Sequence, residues 1–157
     1  MAESTATFLC ALTCQGSMDH ALREAKDRFD LEAAKHIRLE VFVREQNVPS
    51  DIEMDEYDSK AIHVLCLVNG QPVGTGRLVK MPDGMKLGRV AVLRDYRGKG
   101  LGREIVKWLL RRAGEGMPVY ANVQTSAEAF YRRLGFVPEG DRFMEAGIEH
   151  VKMSRHP

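Results

Sequence analysis

The chain has 157 residues, of which 44% are hydrophobic and 29% are charged, which is enough apolar material for the core of one domain. The 23 lysines and arginines nearly balance the 22 aspartates and glutamates, so the net charge is +1. This balance argues against a strong overall attraction to nucleic acid or to acidic membranes, and we expect neither as a partner.

The cysteine content indicates a reducing compartment. The three cysteines, Cys10, Cys14 and Cys66, are an odd number and too few for a disulfide framework. Cys10 and Cys14 have no neighbouring cluster of cysteine or histidine, so we expect buried free thiols and no metal site. No apolar run approaches the roughly 20 residues of a membrane-spanning helix. The sequence therefore predicts a cytoplasmic protein without a membrane span.

The first part of the chain predicts a strand followed by helical segments. Residues 7–13 can alternate as a strand, and residues 18–30 are polar and compatible with a helix. Residues 31–46 place hydrophobic residues at helical spacing, and Pro49 is expected to end this helix. The predicted buried face of the helix consists of Leu31, Ala34, Ile37, Arg38 and Val41.

The middle of the chain predicts an antiparallel meander of three strands, over residues 62–68, 73–79 and 86–93. Asn69 and Gly70 separate the first two strands, and both residue types tolerate the positive φ of a tight hairpin turn. An Asp-Gly pair separates the second strand from the third.

The second half of the chain predicts helices and strands in alternation. A helix over residues 101–113 is followed by a strand over residues 118–123. The side chains that we expect the helix to bury are Leu101, Ile105, Leu109 and Trp108. The order of elements predicts an α+β fold with a mixed sheet, in a single domain over residues 1–157.

The C-terminal part predicts one more helix and a final strand or hairpin. The helix covers residues 126–134, with Ser126 or Thr125 as its N-cap and Gly135 as its end. The last strand is expected around residues 150–153.

A glycine-rich segment, residues 97–102, joins the third strand of the meander to the helix that follows. Glycine lets a ligand approach the backbone, and the free N–H groups at a helix N-terminus favour an anion, so the pattern indicates a phosphate site. A turn in which glycine only relieves strain is the simpler interpretation. Gly102 comes one residue too early for a dinucleotide fingerprint, and the phosphate-loop motif of nucleotide hydrolases is absent.

Two motifs resemble the GNAT superfamily of N-acetyltransferases. Residues 90–102 resemble its acetyl-coenzyme-A loop, and residues 127–136 are similar to its A-x-x-F-Y-x-x-x-G-F segment. Two further stretches resemble the small ElaA-like branch: residues 38–46 with the acidic residues that follow them, and residues 145–153.

The resemblance covers roughly residues 31–155, and the first 30 residues lie outside it. It implies the GNAT acyl-CoA N-acyltransferase fold, in which an antiparallel meander continues into splayed central strands of a mixed twisted sheet flanked by helices. It also implies an acetyl-CoA-dependent N-acetyltransferase, in which a primary amine attacks the thioester directly in a ternary complex.

The resemblance further implies the residues of the cofactor site. Main-chain groups of the third strand would bind the pantetheine arm, and the glycine-rich loop would bind the pyrophosphate. The implied cofactor-binding residues are Val90, Ala91, Val92, Arg97, Gly98, Lys99, Gly100, Leu101, Gly102, Gln124, Ala127 and Phe130. Tyr131 matches the tyrosine that protonates the departing thiolate, and a core aromatic residue is the alternative interpretation. Gln124 stands where the superfamily usually has asparagine, and glutamine there is typical of the ElaA-like branch.

The motifs do not define a general base. Many GNAT enzymes place a carboxylate on the central strand, but residues 85–93 contain no aspartate or glutamate. A water chain or an amine that is already neutral could serve instead, or one of Glu45, Glu53, Asp55, Glu145 and His150. We prefer His150 because the ordinary pKa of histidine is close to neutrality, with a structural histidine as the alternative.

Charged residues are distributed unevenly along the chain. Residues 45–58 contain six acidic residues and no lysine or arginine, whereas residues 94–112 contain seven basic residues and two acidic ones. The basic stretch suits a phosphate-rich cofactor, and the acidic stretch could face a cationic amine or could be a solvated loop. The predicted acceptor-site residues are Phe42, Glu45, Glu53 and Asp55.

Two other functions fit parts of the same pattern. A non-catalytic module that binds or senses acyl-CoA could share the fold, and a nucleotide-binding protein could use the loop, although the glycine spacing argues against it. We expect a small-molecule or peptide amine as the acceptor, and a homodimer is compatible with the sequence.

Overall fold

The computed structural model describes residues 18–157, so Cys10, Cys14 and the strand predicted over residues 7–13 lie outside the described residues. The strands of the described part are β1 (His20–Glu24), β2 (Ile62–Val68), β3 (Gln71–Met81), β4 (Gly84–Val92), β5 (Val119–Gln124), β6 (Val137–Glu145) and β7 (Ile148–Arg155). Its α-helices are α1 (Arg28–Arg38), α2 (Ser50–Glu53), α3 (Leu101–Ala113) and α4 (Glu128–Arg133). These strands form one sheet in the order β1-β2-β3-β4-β5-β7-β6. Between residues 18 and 157, no helix combines the length and the apolar character needed to cross a membrane.

The predicted meander is confirmed, and the structure adds one strand to its edge. β2, β3 and β4 pair antiparallel in sequence order, and β2 has the predicted bounds. β1 pairs antiparallel with β2, so the prediction of a helix over residues 18–30 is wrong except at residues 28–30, which begin α1. β1 is an edge strand in which only Leu22 and Glu24 are half-buried. Such a strand has no continuous apolar face by which the sequence could reveal it.

Helix α1 begins three residues before the predicted position. The side chain of Asp27 accepts a hydrogen bond from the backbone N–H of Asp30 at 2.8 Å and caps the helix N-terminus. A π-helical segment, Leu39–Glu45, continues α1. The predicted face is confirmed for Ala34, Ile37, Arg38 and Val41, which are buried, but Leu31 is 40% exposed.

The hydrophobic core lies on both faces of the sheet. Ile105 and Leu109 of α3 are fully buried against β3, where a Cβ atom at Gly76 would lie 2.8 Å from a methyl carbon of each. Glycine at this position therefore permits the close approach of α3 to the sheet. Of the four side chains predicted to be buried in α3, three are buried and Trp108 is half-buried. Cys66 is a buried free thiol, as predicted, and burial raises its pKa to about 11.

The start of the last helix differs from the prediction. A short 3₁₀ turn, Thr125–Ala127, precedes α4, and neither element has a side-chain N-cap, so the predicted cap at Ser126 or Thr125 is wrong. Gly135 follows α4 with a φ of 88°, which confirms the predicted end of the helix. β6 and β7 then form an antiparallel hairpin, and residues 150–155 of β7 pair with β5 along the whole length of β5.

Candidate active site

A gap between two central strands forms the centre of the site. β4 and β5 are parallel, but they pair only at Met85 with Val119 and at Lys86 with Tyr120. On its other side, β4 stays paired with β3 as far as Val92. The strands that the resemblance implied to be splayed are therefore splayed, and β5 does not pair with the backbone of residues 90–92. These residues can offer main-chain groups to a ligand.

A β-bulge shapes β4 immediately before this unpaired edge. Arg77 pairs with Gly88 and Thr75 pairs with Ala91, so β4 contains one residue more than β3 between the two pairs. Arg89 occupies the bulge with a φ of 54°, in the left-handed region that non-glycine residues rarely adopt. The bulge was not predicted, although the apolar positions shift phase there, from Met85 and Leu87 to Val90 and Val92.

The glycine-rich loop presents a helix N-terminus at the open end of the gap. Gly98 and Gly100 have φ values of 74° and 81°, and a Cβ at either position would meet no protein atom within 4 Å. Backbone conformation therefore requires these two glycines, while the space beside them stays open. Gly100 is the N-cap of α3 and supplies no side-chain hydrogen bond, so the first N–H groups of this 13-residue helix lack a side-chain cap. This arrangement suits an anion.

A groove of about 850 Å³ lies beside this loop and contains most of the predicted pyrophosphate residues. Arg97, Gly98, Gly100, Leu101 and Gly102 line it, together with Val92 and Phe130. The sequence reasoning missed Arg103 and Arg133, whose cationic side chains also line the groove. The sequence contained a signal for Arg133, because it lies one helical turn after Phe130, a predicted cofactor residue, and therefore shares its face of α4. Lys99 lines neither this groove nor the second cavity described next. Its Nζ lies 5.6 Å from the centre of the Tyr96 ring.

A second cavity, of about 390 Å³, lies in the gap itself and is called the central cavity below. The predicted residues that line it are Phe42, Glu53, Val90, Ala91, Val92, Arg97, Gln124, Ala127, Phe130, Tyr131 and His150. Val92, Arg97 and Phe130 line both cavities, so the groove and the central cavity are adjacent. Glu45 and Asp55 line neither.

Tyr131 is fixed within an aromatic cluster at the wall of the central cavity. Its ring makes edge-to-face contacts with Phe130 and Phe136, at centroid distances of 5.1 and 5.4 Å. The residue is 8% exposed, and burial raises the pKa of its hydroxyl. Tyrosine is protonated at neutral pH even at its ordinary pKa of 10.0, so this hydroxyl can serve as a proton donor, although the raised pKa makes it a weaker acid than a free tyrosine.

His150 also lines the central cavity, from β7 beside Gln124 of β5. Its Nδ1 is 2.7 Å from the carbonyl oxygen of Ile148. A carbonyl only accepts, so Nδ1 carries the proton and Nε2 of the neutral ring carries the free electron pair. Nε2 lies 3.7 Å from a carboxylate oxygen of Glu145, whose negative charge would stabilise the imidazolium. The ring stacks on Phe143, with 5.8 Å between the centroids.

Gln124 connects the end of β5 to the end of the π-helical segment. Its Nε2 donates a hydrogen bond of 2.7 Å to Oε1 of Gln46, and both residues line the central cavity. Gln46 was not among the predicted site residues.

The acidic residues of the predicted acceptor site are paired with arginines. The members of this arginine–carboxylate cluster are Arg38, Glu53, Asp55, Asp58, Arg77 and Arg89. Arg38 binds Glu53 at 2.8 Å and Asp58 at 2.7 Å, and its side chain is 3% exposed. Arg77 binds Asp55 at 2.6 Å and Asp58 at 2.9 Å. Arg89 lies 3.2 Å from both Glu53 and Asp55.

Three arginines and three carboxylates balance the formal charge of the cluster, but the carboxylates titrate differently. Burial raises the pKa of Glu53 above its ordinary value, even though hydrogen bonding from Arg38 opposes the shift. Burial also acts to raise the pKa of Asp55 and Asp58, but the arginines outweigh it and both pKa values are lowered. The cluster joins α1, α2 and the bulge of β4, and the expected role of Glu53 and Asp55 toward an acceptor stays a prediction.

Glu45 pairs with the glycine-rich loop. Its carboxylate lies 3.0 Å from Arg97 and 3.6 Å from Arg94, and the hydrogen bond from Arg97 lowers its pKa. Arg97 also donates through Nε to the carbonyl oxygen of Val92 at 2.8 Å. A carboxylate with a lowered pKa is a weak base, so this pairing does not favour Glu45 as a proton acceptor.

The described residues contain no group of three or more histidine, cysteine, aspartate or glutamate side chains suited to a metal ion. The site consists of an unpaired strand edge, a helix N-terminus with basic neighbours, and a buried tyrosine and a histidine that both line the central cavity.

The chain is similar in sequence to a known domain family and to several proteins. The model of the acetyltransferase (GNAT) domain family matches residues 25–156. The uncharacterised N-acetyltransferase YjcF of Bacillus subtilis is 39% identical over 135 residues, which cover 83% of this chain and 96% of YjcF. Protein ElaA of Escherichia coli is 33% identical over 132 residues, which cover 80% of this chain and 86% of ElaA.

Solved structures share the fold. The crystal structure of an acyl-CoA N-acyltransferase from Pseudomonas aeruginosa matches with a TM-score of 0.77 at 30% identity, over 88% of this chain and 99% of that chain. The crystal structure of E. coli ElaA gives a TM-score of 0.78 at 28% identity over the same shares. These likenesses confirm the predicted fold and the ElaA-like branch. This chain is an acyltransferase and belongs to the GNAT acetyltransferase family.

Proposed function

We propose that the protein transfers an acetyl group from acetyl-CoA directly to a primary amine, with both substrates bound at once. The adjacency of the two cavities carries this proposal. Val92, Arg97 and Phe130 line both of them, so a thioester held along β4 from the groove would meet an acceptor held in the central cavity. Holding the amine and the thioester in contact removes much of the entropic barrier to their reaction.

The chain's own residues fit coenzyme A. The uncapped N–H groups of α3, with Arg97, Arg103 and Arg133 around them, would hold phosphates, and open space beside Gly98 and Gly100 leaves room for them. Main-chain groups of residues 90–92 would bind the amides of the pantetheine arm. Acetyl-CoA supplies an activated acyl group with a thiolate as the leaving group.

Two side chains would transfer protons during the reaction, one as acceptor and one as donor. As the C–N bond forms and the C–S bond breaks, the amine loses a proton and the thiolate gains one. Nε2 of His150 has the free electron pair needed to accept the first proton, with Glu145 stabilising the imidazolium. The Tyr131 hydroxyl, at the wall of the central cavity, would donate the second proton to the departing thiolate.

The test is thiol release from acetyl-CoA against a panel of primary amines. We expect amine-dependent release by the native protein and a fall in kcat of roughly tenfold to a hundredfold in Tyr131→Phe, because the thiolate then leaves without its proton donor. Since Tyr131 does not titrate near neutrality, the loss should be similar across that pH range.

Tyr120→Phe is the matched control, because the Tyr120 hydroxyl bonds Asp83 at 3.3 Å at the surface and lies outside both cavities. Its kcat should equal that of the native protein. Binding of acetyl-CoA without thiol release for any amine would refute catalysis and favour a sensing module. An unchanged kcat in Tyr131→Phe would refute the role of Tyr131 alone.

Gly100→Ala should weaken acetyl-CoA binding. Gly100 and Gly116 have φ values of 81° and 78°, and both have open space around the Cβ position, so alanine should cost similar stability at each, about 1 kcal/mol. Only Gly100 lines the groove. We expect Gly100→Ala to raise the KM for acetyl-CoA about tenfold or more, because the strained loop moves and the methyl group occupies ligand space. Gly116→Ala should leave this KM unchanged, and equal KM values in both variants would contradict the placement of the pyrophosphate.

A further inference from the structure

Lys86 is a cationic residue of the central cavity that has no carboxylate partner among the described residues. It lies on β4 at the last residue pair between β4 and β5, where the gap begins, and it lines the cavity. The other cationic residues that line the cavity, Arg77, Arg89 and Arg97, each bind a carboxylate. Within residues 18–157, no carboxylate lies within ion-pair distance of Lys86.

The charge of the opposite wall has the other sign. Glu145 and His150 line the cavity at the β6–β7 hairpin, and His150 lies beside Gln124 of β5. Lys86 pairs with Tyr120, four residues earlier on β5, so the two positions are roughly 13 Å apart along the strand. The long side chain of Lys86 covers part of this distance. The cavity therefore presents a carboxylate and a proton acceptor at one end and an ammonium group at the other.

From this polarity we propose that the acceptor is a primary amine that also carries an anionic group several bonds from its nitrogen. The amine lies toward His150 and Glu145, and the anionic group binds Lys86. The inference rests on the proposed acetyl transfer and specifies its acceptor. The sequence suggested a cationic acceptor because of acidic residues such as Glu53 and Asp55. In the structure, arginines of the arginine–carboxylate cluster neutralise these two carboxylates.

Electrostatics favours an acceptor with one anionic group over an acceptor with a second amine or with no second charge. The ammonium group of Lys86, which has no carboxylate partner in the part of the chain that the structure describes, repels a second cation, so a diamine would bind with one of its charges unfavourably placed. An alkylamine without a second charge would leave Lys86 without an ionic partner. An amine with a carboxylate at the far end avoids both penalties.

Three matched series of acceptors test the inference: ω-amino carboxylates, alkylamines and α,ω-diamines, each with three to six carbons. Thiol release from acetyl-CoA gives kcat/KM for each. We expect an ω-amino carboxylate to exceed the alkylamine and the diamine of equal length by roughly tenfold to a hundredfold, the usual contribution of a charge-assisted hydrogen bond. A chain-length optimum within the carboxylate series should reflect the distance between the two ends of the cavity.

Substitutions of Lys86 locate the effect. Lys86→Met should abolish the preference for the carboxylate series, and Lys86→Glu should shift it toward the diamines, while the KM for acetyl-CoA stays unchanged in both. Lys80→Met is the control, because Lys80 is an exposed lysine of β3 that does not line the cavity. It should retain the native preference.

The outcomes separate the two proposals. Alkylamines or diamines acetylated as well as the carboxylates, or a preference unaffected by Lys86→Met, would overturn the inference and leave the proposed acetyl transfer intact. If none of the amines in the three series supports thiol release, both proposals are overturned.

Discussion

Replacing Arg38 with methionine is expected to lower the free energy of unfolding by about 3–5 kcal/mol, the usual effect of leaving a buried carboxylate without its partner. Arg38 binds both Glu53 and Asp58, and the side chains of Arg38 and Glu53 are each 3% exposed. Methionine replaces the aliphatic part of the arginine, so the loss measures the ion pairs rather than a cavity. Urea denaturation gives the difference.

The size of this loss should depend on pH. Burial raises the pKa of Glu53 above its ordinary value of 4.5, so the folded protein binds this proton more readily than the unfolded chain. The stability contributed by such a carboxyl is complete below 4.5 and is lost as the pH rises through the raised pKa. Without Arg38 the pKa rises further, so the loss should be smaller at about pH 5 than at about pH 7.5. In the native protein Asp55 and Asp58 have pKa values lowered from 3.8; without Arg38 the pKa of Asp58 rises as well, which changes the loss in the same direction.

Arg44→Met provides the comparison. Arg44 lies six residues later on the same helical stretch and pairs with Glu40, but its side chain is 70% exposed. An exposed pair of this kind contributes less than about 1 kcal/mol. Similar losses for Arg38→Met and Arg44→Met, or a loss at Arg38 that grows on acidification, would contradict the role of the buried cluster.

Arg89→Ala is expected to lower kcat about a hundredfold, the effect of displacing reacting groups by about 1 Å. Arg89 adopts a left-handed conformation that costs about 1–3 kcal/mol, and its ion pairs with Glu53 and Asp55 hold it there. Alanine keeps the strain and removes the ion pairs, so the bulge relaxes and the edge formed by residues 90–92 moves. Arg89→Gly also removes the ion pairs but tolerates the conformation, and it should retain kcat within about tenfold of the native value.

Steady-state kinetics with a productive amine distinguish the two effects, with Asn69→Ala as control. Asn69 has a similar φ of 49°, but it lies in the hairpin turn between β2 and β3. Alanine there should cost stability without changing kcat. Equal losses of kcat in Arg89→Ala and Arg89→Gly would show that the guanidinium group, rather than the bulge, is needed.

The sequence predicted the elements whose signals are local. The continuous apolar run of β2, the Asn-Gly turn after it and the helix that begins at Gly100 all depend on residues close together in the chain. The splayed strands followed from the family resemblance, because nothing in the composition of β4 or β5 reveals where their pairing stops.

The ion pairs of the site could not be predicted because their partners are distant in sequence. Asp55 meets Arg77, 22 residues away, and Arg89, 34 residues away. The count of charges between residues 45 and 58 therefore suggested a free acidic segment where the fold provides a neutral cluster. Lys86 was overlooked for the same reason, since only the pairing of β4 with β5 places it at the cavity.

The pair between Glu45 and Arg97 connects the two cavities energetically. Arg97 lines both and holds the Val92 carbonyl, while Glu45 ends the π-helical segment that carries Phe42. A ligand that moves Arg97 from the groove therefore alters a wall of the central cavity. Coupling between two binding sites is reciprocal, so each ligand must change the affinity of the other by the same factor. The ion pair between Glu45 and Arg97 is partly exposed, so added salt should screen it. The factor by which one ligand changes the affinity of the other should then approach one.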